Sequence, residues 1–398
     1  MPVKVLHILG SLAVGGAENL VLDMLRGGSA ERFTYHVLYM HPSPVERVEA
    51  FAGCGVPVTF IPCDSGAKAT FRFIRSLRGY IKRNGIEVIH CHHNVDAYWA
   101  FLASRFTRVR KILLSVHGMN LNFNYLSGRT KGLFPADRFF ARSLQLTYVS
   151  GSTRDFYRNQ YGRKELEGEV IYNGVDAGKL DPENSATDTF VPAWAGEAKR
   201  QGKLVLGMVG NFNTPVRLQK MICGVLWDLK EHYRGDLPFI FVFAGGKSGQ
   251  HPALFDDCTA FCREKGMLDA DVFFPGRVDW VPQLLAGLDG YIYGSSADTF
   301  GISVIEAVMA GVPVICSDIP ALREVTFNGK LATLVRNDPS SFREAIAGLL
   351  SACAGNKNTG IKNRPDMIEK AIFARSFYSI GKSRAAYEAL YLSASFRG

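Results

Sequence analysis

Short apolar segments alternate with amphipathic segments along most of the chain, and this alternation is the strongest constraint on its fold. Apolar runs of strand length occur in the first half at 3–9, 35–41, 56–62, 86–91, 110–116, 145–150 and 169–172. Between them lie segments with helical periodicity, such as Glu18–Arg26, Phe71–Asn84 and Tyr98–Phe106. Strands that alternate with helices of this length form right-handed β-α-β units, so the pattern predicts a parallel sheet.

The alternation stops at 181–202 and then begins again. This segment is polar, contains Pro182 and Pro192, and lacks clean periodicity, so we predict a linker with irregular structure there. Helices are predicted at Met221–His232 and Ile302–Ala310. Strands of the second half are predicted at Leu204–Val209, Phe239–Ala244, Asp271–Phe274, Gly290–Tyr293 and Val312–Cys316.

The chain is therefore predicted to be an α/β protein with two doubly wound, Rossmann-like domains, at 1–185 and 200–374. A helical pattern over Ala371–Phe396 suggests that 375–398 packs back as a C-terminal helix. A length of 398 residues agrees with two domains. In open α/β sheets ligands bind beyond the carboxyl ends of the strands, so chemistry is expected at those edges.

The net charge indicates which classes of partner are expected, and the cysteines indicate the redox compartment. The formal net charge of +9 favours acidic partners such as nucleotides, phosphates or an anionic membrane surface, although a uniformly solvated basic surface is an equal alternative. No nucleic-acid recognition motif is found, so nucleic acid is not an expected partner. The scattered cysteines suggest a reducing compartment. Cys258 and Cys262 are four residues apart, but no second Cys or His pair completes a zinc site.

The amino terminus does not resemble a signal peptide. The apolar run that begins at Val3 is interrupted by His7 and by the Gly15-Gly16 pair, and no segment approaches the roughly 20 apolar residues that span a bilayer. We therefore expect a cytoplasmic protein, with peripheral attachment to the inner face of the cell membrane left open.

The segment 294–318 combines turn residues, two carboxylates and the start of an apolar helix. The first backbone N–H groups of a helix lack internal partners and carry partial positive charge, which suits an anion such as a sugar diphosphate. Asp298 precedes the helix and Glu306 lies about two turns along it, so both carboxylates are suited to binding polyol hydroxyls. The alternative is that Asp298 only caps the helix and Glu306 pairs with a nearby cation.

This arrangement, Asp298-x7-Glu306 followed by Ala and a Gly-x-Pro-Val strand, resembles the Glu-x7-Glu signature of the retaining glycosyltransferases of family four. Members of that family have the GT-B fold, with two Rossmann-like domains facing each other across a cleft. The resemblance implies that Glu306 binds the ribose hydroxyls and Asp298 the donor sugar. It also implies that backbone N–H groups near Phe300, Gly301 and Ile302 hold sugar and phosphate. Asp in the first position is a departure that shortens the reach.

Three further segments match the family. Gly16 belongs to a Gly-Gly loop that in the family closes on the donor diphosphate, although a tight turn is an alternative. His117 ends a predicted strand where the family places a His against the donor sugar. Arg277 lies in the stretch Phe274–Asp279, which resembles the part of the family that meets the base and is otherwise an ordinary loop. His90, His92 and His93 also cluster at a strand end, where shaping the acceptor side is favoured over metal binding.

The phosphate-binding cations are the least regular part of the match. The family usually has an Arg just after the first strand of the second domain and a Lys about five residues later. Here Asn211 occupies the Arg position, and Arg217 is the better candidate for the Lys, with Lys220 as the second. A solvent-facing basic pair is the alternative.

The resemblance implies a retaining, metal-independent transferase of the hexosyltransferase type, with no cofactor and no covalent intermediate. Its donor would be a UDP- or GDP-sugar and its acceptor a glycan or lipid-linked glycan in cell-surface polysaccharide or lipopolysaccharide synthesis. Two alternatives stay open. One is a nucleotide-sugar 2-epimerase of the same fold, and the other is a non-catalytic nucleotide-sugar-binding protein, which the absence of an Arg at 211 favours slightly.

Overall fold

A computed structural model describes residues 1–13, 15–28, 31–63, 67–119, 135–162, 166–180, 192–354, 362 and 364–393. The chain forms two compact units, one of Met1–Gly174 with Ile380–Gly398 and the other of Val175–Ser379. The chain thus changes unit after Gly174 and after Ser379, not at the predicted boundaries of 185 and 375. The part of the predicted linker at 181–191 lies outside the described residues.

The first unit is built on a seven-stranded parallel sheet. Its strands are β1 (Val3–Leu9), β2 (Phe33–Tyr39), β3 (Val58–Phe60), β4 (Val88–Cys91), β5 (Lys111–Val116), β6 (Gln145–Tyr148) and β7 (Glu169–Val170). They lie in the order β3-β2-β1-β4-β5-β6-β7. The connecting helices are α1 (Gly16–Arg26), α2 (Val45–Ala52), α3 (Ala67–Asn84), α4 (Asn94–Ser104), α5 (Pro135–Arg142) and α6 (Gly151–Tyr161). The predicted α/β alternation is confirmed.

Both faces of this sheet are buried, which explains why its strands are continuous apolar runs in the sequence. Alternate residues of β1 enter opposite cores, because successive side chains of a strand point to opposite faces. Leu6 and Ile8 pack in the cluster that contains Phe73 and Leu77 of α3. Val5 and Leu9 pack in the other cluster, with Leu20, Val21 and Met24 of α1 among its members.

The second unit has its own six-stranded parallel sheet, in the order β10-β9-β8-β11-β12-β13. The strands are β8 (Leu204–Val209), β9 (Phe239–Ala244), β10 (Val272–Gly276), β11 (Gly290–Tyr293), β12 (Val314–Ser317) and β13 (Thr333–Val335). The helices are α7 (Ala193–Arg200), α8 (Gln219–His232), α9 (Pro252–Glu264), α10 (Val281–Gly287), α11 (Ile302–Met309), α12 (Pro320–Val325), α13 (Pro339–Ala354) and α14 (Pro365–Phe377), and a 3-10 helix spans Ala177–Leu180.

Two elements of this unit differ from the prediction. The short edge strand β13 was not predicted, because its three residues do not form a recognisable apolar run. Helix α7 lies inside the segment 181–202 that we expected to be irregular. It is helical because it packs on the sheet: Ala195 and Ala198 are buried, and Trp194 stacks on Phe273 with ring centroids 5.0 Å apart.

The predicted helix over 371–396 is in fact two helices, α14 and α15 (Ile380–Leu392), and 394–398 lies outside the described residues. The break is fixed by tertiary contacts, because the Tyr378 carbonyl accepts a 2.8 Å hydrogen bond from the Val175 N–H and its hydroxyl donates to the Val325 carbonyl. Helix α15 belongs to the first unit, where Tyr387 and Tyr391 are buried. Among the residues that the structure describes, no helix is long and apolar enough to cross a membrane.

Gly174 is the last residue of the first unit before the chain enters the second, and it packs closely against α15. A Cβ at this position would lie 2.5 Å from the Cα of Ile380, the first residue of α15. Only a residue without a side chain permits so close an approach of two backbones.

Each sheet has one point where the strand order reverses direction. In the first unit the chain moves outward from β1 to β2 and β3, and then returns to β4 on the other side of β1. In the second unit the same reversal separates β8 from β11. Ligands of open α/β sheets bind beyond the carboxyl ends of the strands at such points. The fold therefore places a candidate site in each unit.

Candidate active site

In the first unit, the switch point between β1 and β4 is lined by histidines. His7 lies in β1 and is paired in register with His90 of β4. His92 follows β4, and His117 follows β5. The first three are at most 2 % exposed, whereas His117 is half-buried. The predicted His117 and the predicted His90–His93 cluster thus belong to one group, to which the structure adds His7.

Three of these rings form a hydrogen-bonded chain. His7 Nδ1 lies 3.2 Å from His92 Nε2, and His92 Nδ1 lies 3.2 Å from His117 Nε2. The rings stack along this chain, with interplanar angles of 15° and 26°. His90 stands beside it, with Nδ1 2.7 Å from the Tyr391 hydroxyl and Nε2 2.7 Å from Ser115 Oγ.

Burial keeps these rings neutral. It lowers the pKa of His7 to about 3, and it lowers the pKa values of His90 and His92 well below the usual value for histidine. Burial also lowers the pKa of His117, and the nearby His93 adds to that effect. At neutral pH each ring therefore carries a single N–H.

Titratable side chains of a different kind lie next to the neutral rings. His93 Nδ1 is 3.3 Å from Asp96 Oδ2, and this hydrogen bond raises the pKa of His93. Burial raises the pKa of both Asp96 and Glu18. The Glu18 carboxylate folds back toward Gly15, so close that a Cβ there would collide with it. The exposed Gly16, which begins α1, therefore lies where a carboxylate already occupies the helix N-terminus.

The histidines are also the residues most able to hold a metal. Within the described ranges, the ring nitrogens of His7, His90 and His92 form one group whose atoms lie within 4.8 Å of one another. Both nitrogens of His90 are engaged at 2.7 Å, however, by Tyr391 and Ser115. A metal would have to displace one of these hydrogen bonds, so the geometry favours a hydrogen-bonded group over a metal centre.

In the second unit, Asp298 lies in the loop between β11 and α11 and is held by three hydrogen bonds. Its Oδ2 accepts from the Tyr293 hydroxyl at 2.6 Å, and its Oδ1 accepts from the backbone N–H of Thr299 at 2.7 Å and of Phe300 at 3.2 Å. Burial and then the charge of Asp298 raise the pKa of Tyr293, which stays a donor. A carboxylate offers about four acceptor sites, so its capping role leaves it able to accept from a ligand hydroxyl.

The residues after Asp298 contribute mainly backbone. Gly301 has φ 80° and ψ 56° and caps the start of α11, and a Cβ there would lie 2.5 Å from Leu322 Cδ2. The Phe300 side chain is buried against Tyr378, with ring centroids 5.6 Å apart. Ile302 is the first residue of α11. Their backbone N–H groups are thus at the helix N-terminus, where the resemblance predicts sugar and phosphate contacts.

The two predicted phosphate-binding cations are separated by the structure. The Arg217 guanidinium lies over Gly210 at the end of β8 and 5.6 Å from the ring centroid of Tyr293. Lys220 instead contacts α9, where its Nζ donates to the Asp257 carbonyl at 2.7 Å and lies 4.9 Å from the Phe261 ring. Arg217 therefore joins Tyr293 and Asp298 at the switch point, and Lys220 is directed at the neighbouring helix.

Glu306 is partly buried on α11 beside Tyr291. Burial chiefly raises the pKa of Tyr291, and the charge of Glu306 contributes to the same direction. The Tyr291 hydroxyl donates to the Val209 carbonyl at 3.2 Å and also bonds Ser303. Glu306 and Arg217 thus both lie within electrostatic range of Tyr291, whose hydroxyl contacts the end of β8.

Asn211, the departure from the family pattern, has a structural contact. Its Oδ1 accepts from the Gly246 N–H at 2.8 Å, which ties the loop after β8 to the loop after β9. A Cβ at Gly245 would collide with the Gly210 carbonyl, so this turn requires glycine. Arg277 follows β10 and is exposed, and its Cβ is 3.7 Å from the position of a Cβ at Gly246. The loops after three adjacent strands therefore converge.

Sequence reasoning missed the tyrosines of β11. Tyr291 and Tyr293 lie on one face of the strand, with rings stacked at a centroid distance of 6.3 Å. Their hydroxyls orient the end of β8 and Asp298. The available signal was two tyrosines at alternate positions of a predicted strand directly before Gly294, and that pattern is also typical of an ordinary core strand.

Two sequence families match the chain. The profile described as Glycosyltransferase Family 4 matches residues 14–179, and the profile described as Glycosyl transferases group 1 matches residues 203–352. The two matches fall on the first and second units respectively, apart from a few residues at the junction.

Individual relatives agree with the profiles. EpsF of Bacillus subtilis (strain 168), which is named as a glycosyltransferase, is 25 % identical over 356 residues, 88 % of each chain. The phosphatidyl-myo-inositol mannosyltransferase of Mycobacterium leprae (strain TN) is 26 % identical over 346 residues, 84 % of each. Among solved structures, Anabaena Alr3699/HepE in complex with UDP and glucose superposes with a TM-score of 0.77 at 16 % identity, covering 98 % of this chain and 100 % of that one.

Proposed function

Because this chain belongs to the family 4 glycosyltransferases and has the GT-B fold, we propose that it moves a sugar from a UDP- or GDP-sugar to a glycan or lipid-linked glycan of a cell-surface polysaccharide. The observation that carries this proposal is the group formed by Arg217, Tyr293 and Asp298 at the N-terminus of α11. It combines a cation, a fixed carboxylate and helix-terminal N–H groups at a switch point.

This group suits the charge changes of glycosyl transfer. The sugar passes through an oxocarbenium-like state while negative charge grows on the leaving diphosphate. The half-buried Arg217 and the N–H groups at the start of α11 would stabilise that charge without reorganising. The exposed Arg277 on the adjacent loop would be a further cation. We infer that the reaction needs no metal.

We propose retention of configuration without a covalent intermediate. Asp298 already accepts three hydrogen bonds, which makes its oxygens weak nucleophiles and favours a role in binding hydroxyls. The acceptor hydroxyl would then attack on the face from which the diphosphate leaves, and the phosphate would take its proton. The anomeric coupling constant of the product, measured by NMR, tests this. A glycosyl-enzyme isolated by mass spectrometry would contradict it.

A lipid-linked acceptor would bring the protein to an anionic membrane surface, and α3 supports such an association. This helix carries Lys68, Arg72, Arg75, Arg78, Lys82 and Arg83 and no acidic residue. Phe71 beside them is 68 % exposed. Exposed aromatic and basic residues on one helix are typical of interfacial binding, and each cation near an anionic surface contributes about 1 kcal/mol.

Vesicle sedimentation tests this association. The protein should pellet with vesicles of phosphatidylglycerol and phosphatidylcholine but not of phosphatidylcholine alone, and Arg72→Glu/Arg75→Glu should abolish pelleting. Lys330→Glu/Arg343→Glu, which reverses two exposed charges of the second unit, is the matched control. Equal loss in both double variants would indicate only a net-charge effect.

The donor is tested by thermal shift with UDP, GDP, ADP and their sugar conjugates. Ligand binding to the folded state raises the melting temperature, and a shift by one nucleotide would identify the donor base. Glu306→Ala should remove the shift, whereas Glu344→Ala, an exposed carboxylate of α13, should keep it. No shift with any nucleotide would reject the donor assignment.

A second measurement separates the proposal from its two alternatives. A 2-epimerase would convert the nucleotide sugar without any acceptor, and a binding protein would leave it intact. A transferase should release nucleoside diphosphate in proportion to added acceptor glycan. The similarity to proteins named as glycosyltransferases supports the transferase.

A further inference from the structure

We propose that His7 and His92 are positioning residues that hold His117 in the tautomer with its proton on Nδ1. The structural part of this proposal concerns the free protein. Its catalytic consequence rests on the proposed transferase function.

The hydrogen-bond geometry allows only two arrangements of the protons. Each neutral imidazole has one N–H, so His92 must donate to one neighbour and accept from the other. In the first arrangement His7 Nδ1–H donates to His92 Nε2, His92 Nδ1–H donates to His117 Nε2, and His117 keeps its proton on Nδ1. In the second, all three protons lie on Nε2 and the chain runs from His117 to His7. Any mixture would place two protons, or none, in one of the 3.2 Å contacts.

The buried end of the chain distinguishes the two arrangements. His7 Nε2 is buried and has no hydrogen-bond partner in the described structure. The second arrangement would put a proton on this atom and bury an N–H without an acceptor. Orphaned buried N–H groups are rare, because the lost hydrogen bond to water is not replaced. The first arrangement leaves only a bare nitrogen there, so the chain runs from His7 to His117.

The side chains that surround the three hydrogen-bonded histidines are mostly neutral. His7 faces Tyr35 of β2, Tyr391 of α15 and His90 of β4, and burial chiefly raises the pKa values of both tyrosines. His92 faces His90 at a centroid distance of 4.3 Å. The nearby titratable groups are His93, which hydrogen bonds Asp96, and Glu18, which interacts electrostatically with both.

Hydrogen bonds that involve two tyrosines of α15 also hold the histidine rings in place. His90 hydrogen bonds with Tyr391 and Ser115, and the Ser115 hydroxyl donates to the Tyr387 hydroxyl oxygen at 3.0 Å. Ser115 also lies 2.8 Å from Thr147 Oγ1. Helix α15 therefore fixes the position of His90, which lies beside the chain of His7, His92 and His117.

The consequence for catalysis is specific. In this tautomer the nitrogen of His117 that faces away from His92 is a hydrogen-bond donor, not a base. It would donate to a substrate oxygen while the ring stays neutral. The preset proton means that no tautomer change is needed when the substrate binds.

Long-range proton–nitrogen NMR of the free protein tests the tautomer directly, because protonated and bare imidazole nitrogens have well-separated nitrogen shifts. With histidine-labelled protein, we expect Nδ1 of His117 to be protonated and Nε2 to be bare. A proton on Nε2, or a mixture of both forms, would overturn the proposal. This result does not depend on activity, so it stands even if the protein proves not to be a transferase.

Kinetics of His7 variants test the positioning role. His7→Phe removes the donor to His92, and we expect a mixed tautomer at His117 and about a ten-fold lower kcat, with donor KM little changed. His7→Asn restores an N–H near the position of Nδ1 and should recover most of that loss. His36→Asn is the matched control. His36 is also buried, but it hydrogen bonds with Tyr80 and is not part of the chain formed by His7, His92 and His117. Equal losses in both His7 variants, with the His117 tautomer unchanged, would refute the role.

Discussion

Acidification from about pH 7.5 to about pH 5.5 should selectively destabilise the first unit, because its sheet buries neutral histidines. Burial lowers the pKa of His7 to about 3 in the folded protein, against about 6.5 in an unfolded chain. Between these values the unfolded chain binds a proton that the folded protein does not. Stability is therefore full above pH 6.5 and is lost as the pH falls toward 3.

The size of the effect follows from the same pKa values. For His7 alone, proton linkage predicts a loss of about 1.4 kcal/mol at pH 5.5. The pKa values of His90 and His92 are also lowered by burial, so these two histidines add to the loss in the same direction. Asp96 opposes part of this, because burial raises its pKa and its protonation favours the folded state as the pH falls. His93 also opposes the loss of stability, because its hydrogen bond to Asp96 raises its pKa and the folded protein therefore binds this proton more readily than the unfolded chain.

Hydrogen exchange followed by mass spectrometry is the suitable assay, because two compact units need not unfold together. Peptides from β1 and β4 report the first unit, and peptides from β8 and β11 report the second. His7→Asn should reduce the pH-dependent loss in the first unit by about 1.4 kcal/mol. His232→Asn, which removes an exposed histidine, should leave it unchanged. A His7→Asn protein with the full pH dependence of the natural chain would refute the reasoning.

Three further outcomes are expected in the second unit. Arg217→Ala should lower kcat roughly 100-fold by removing a cation from the leaving group, whereas Lys220→Ala should stay within a few-fold, and similar losses in steady-state assays would contradict the assignment. Tyr293→Phe should raise donor KM about five- to ten-fold through loss of the 2.6 Å bond to Asp298, and an unchanged KM would show that Asp298 is fixed by its backbone bonds alone. Gly301→Ala should destabilise the protein by at least about 2 kcal/mol, because its φ of 80° disfavours a side chain and the site has no room for one; an unchanged melting temperature would contradict that geometry.

The departure at Asn211 illustrates how a residue pattern and a structure answer different questions. A missing Arg in the sequence suggests lost phosphate binding. The structure assigns Asn211 to the support of the Gly245–Gly246 turn and places the Arg217 guanidinium over the neighbouring Gly210. A cation is therefore present at the end of β8, although it comes from a position several residues later in the chain.

The architecture was predictable from the sequence, because local chemistry specifies it. Strands buried on both faces must be continuous apolar runs, and β8, β9 and β11 have the bounds that their apolar runs predict. The position of Asp298 before the start of a helix was predictable for a similar reason, since the start of a helix after a strand has a fixed backbone chemistry. The roles of Gly301 and Glu306 were inferred from the family resemblance and stay predictions.

Which distant residues contact one another could not be predicted from the sequence, because it depends on how the elements pack. The break between α14 and α15 depends on Val175, about 200 residues earlier, and no local signal at Tyr378 marks it. The chain from His7 through His92 to His117 joins three strands, and the proton positions follow from the burial of a single nitrogen at its end. Periodicity predicts which face of an element is buried. It does not predict which residue lies next to it on the neighbouring strand. Burial beside that neighbour determines the charge and the hydrogen bonds of each histidine ring.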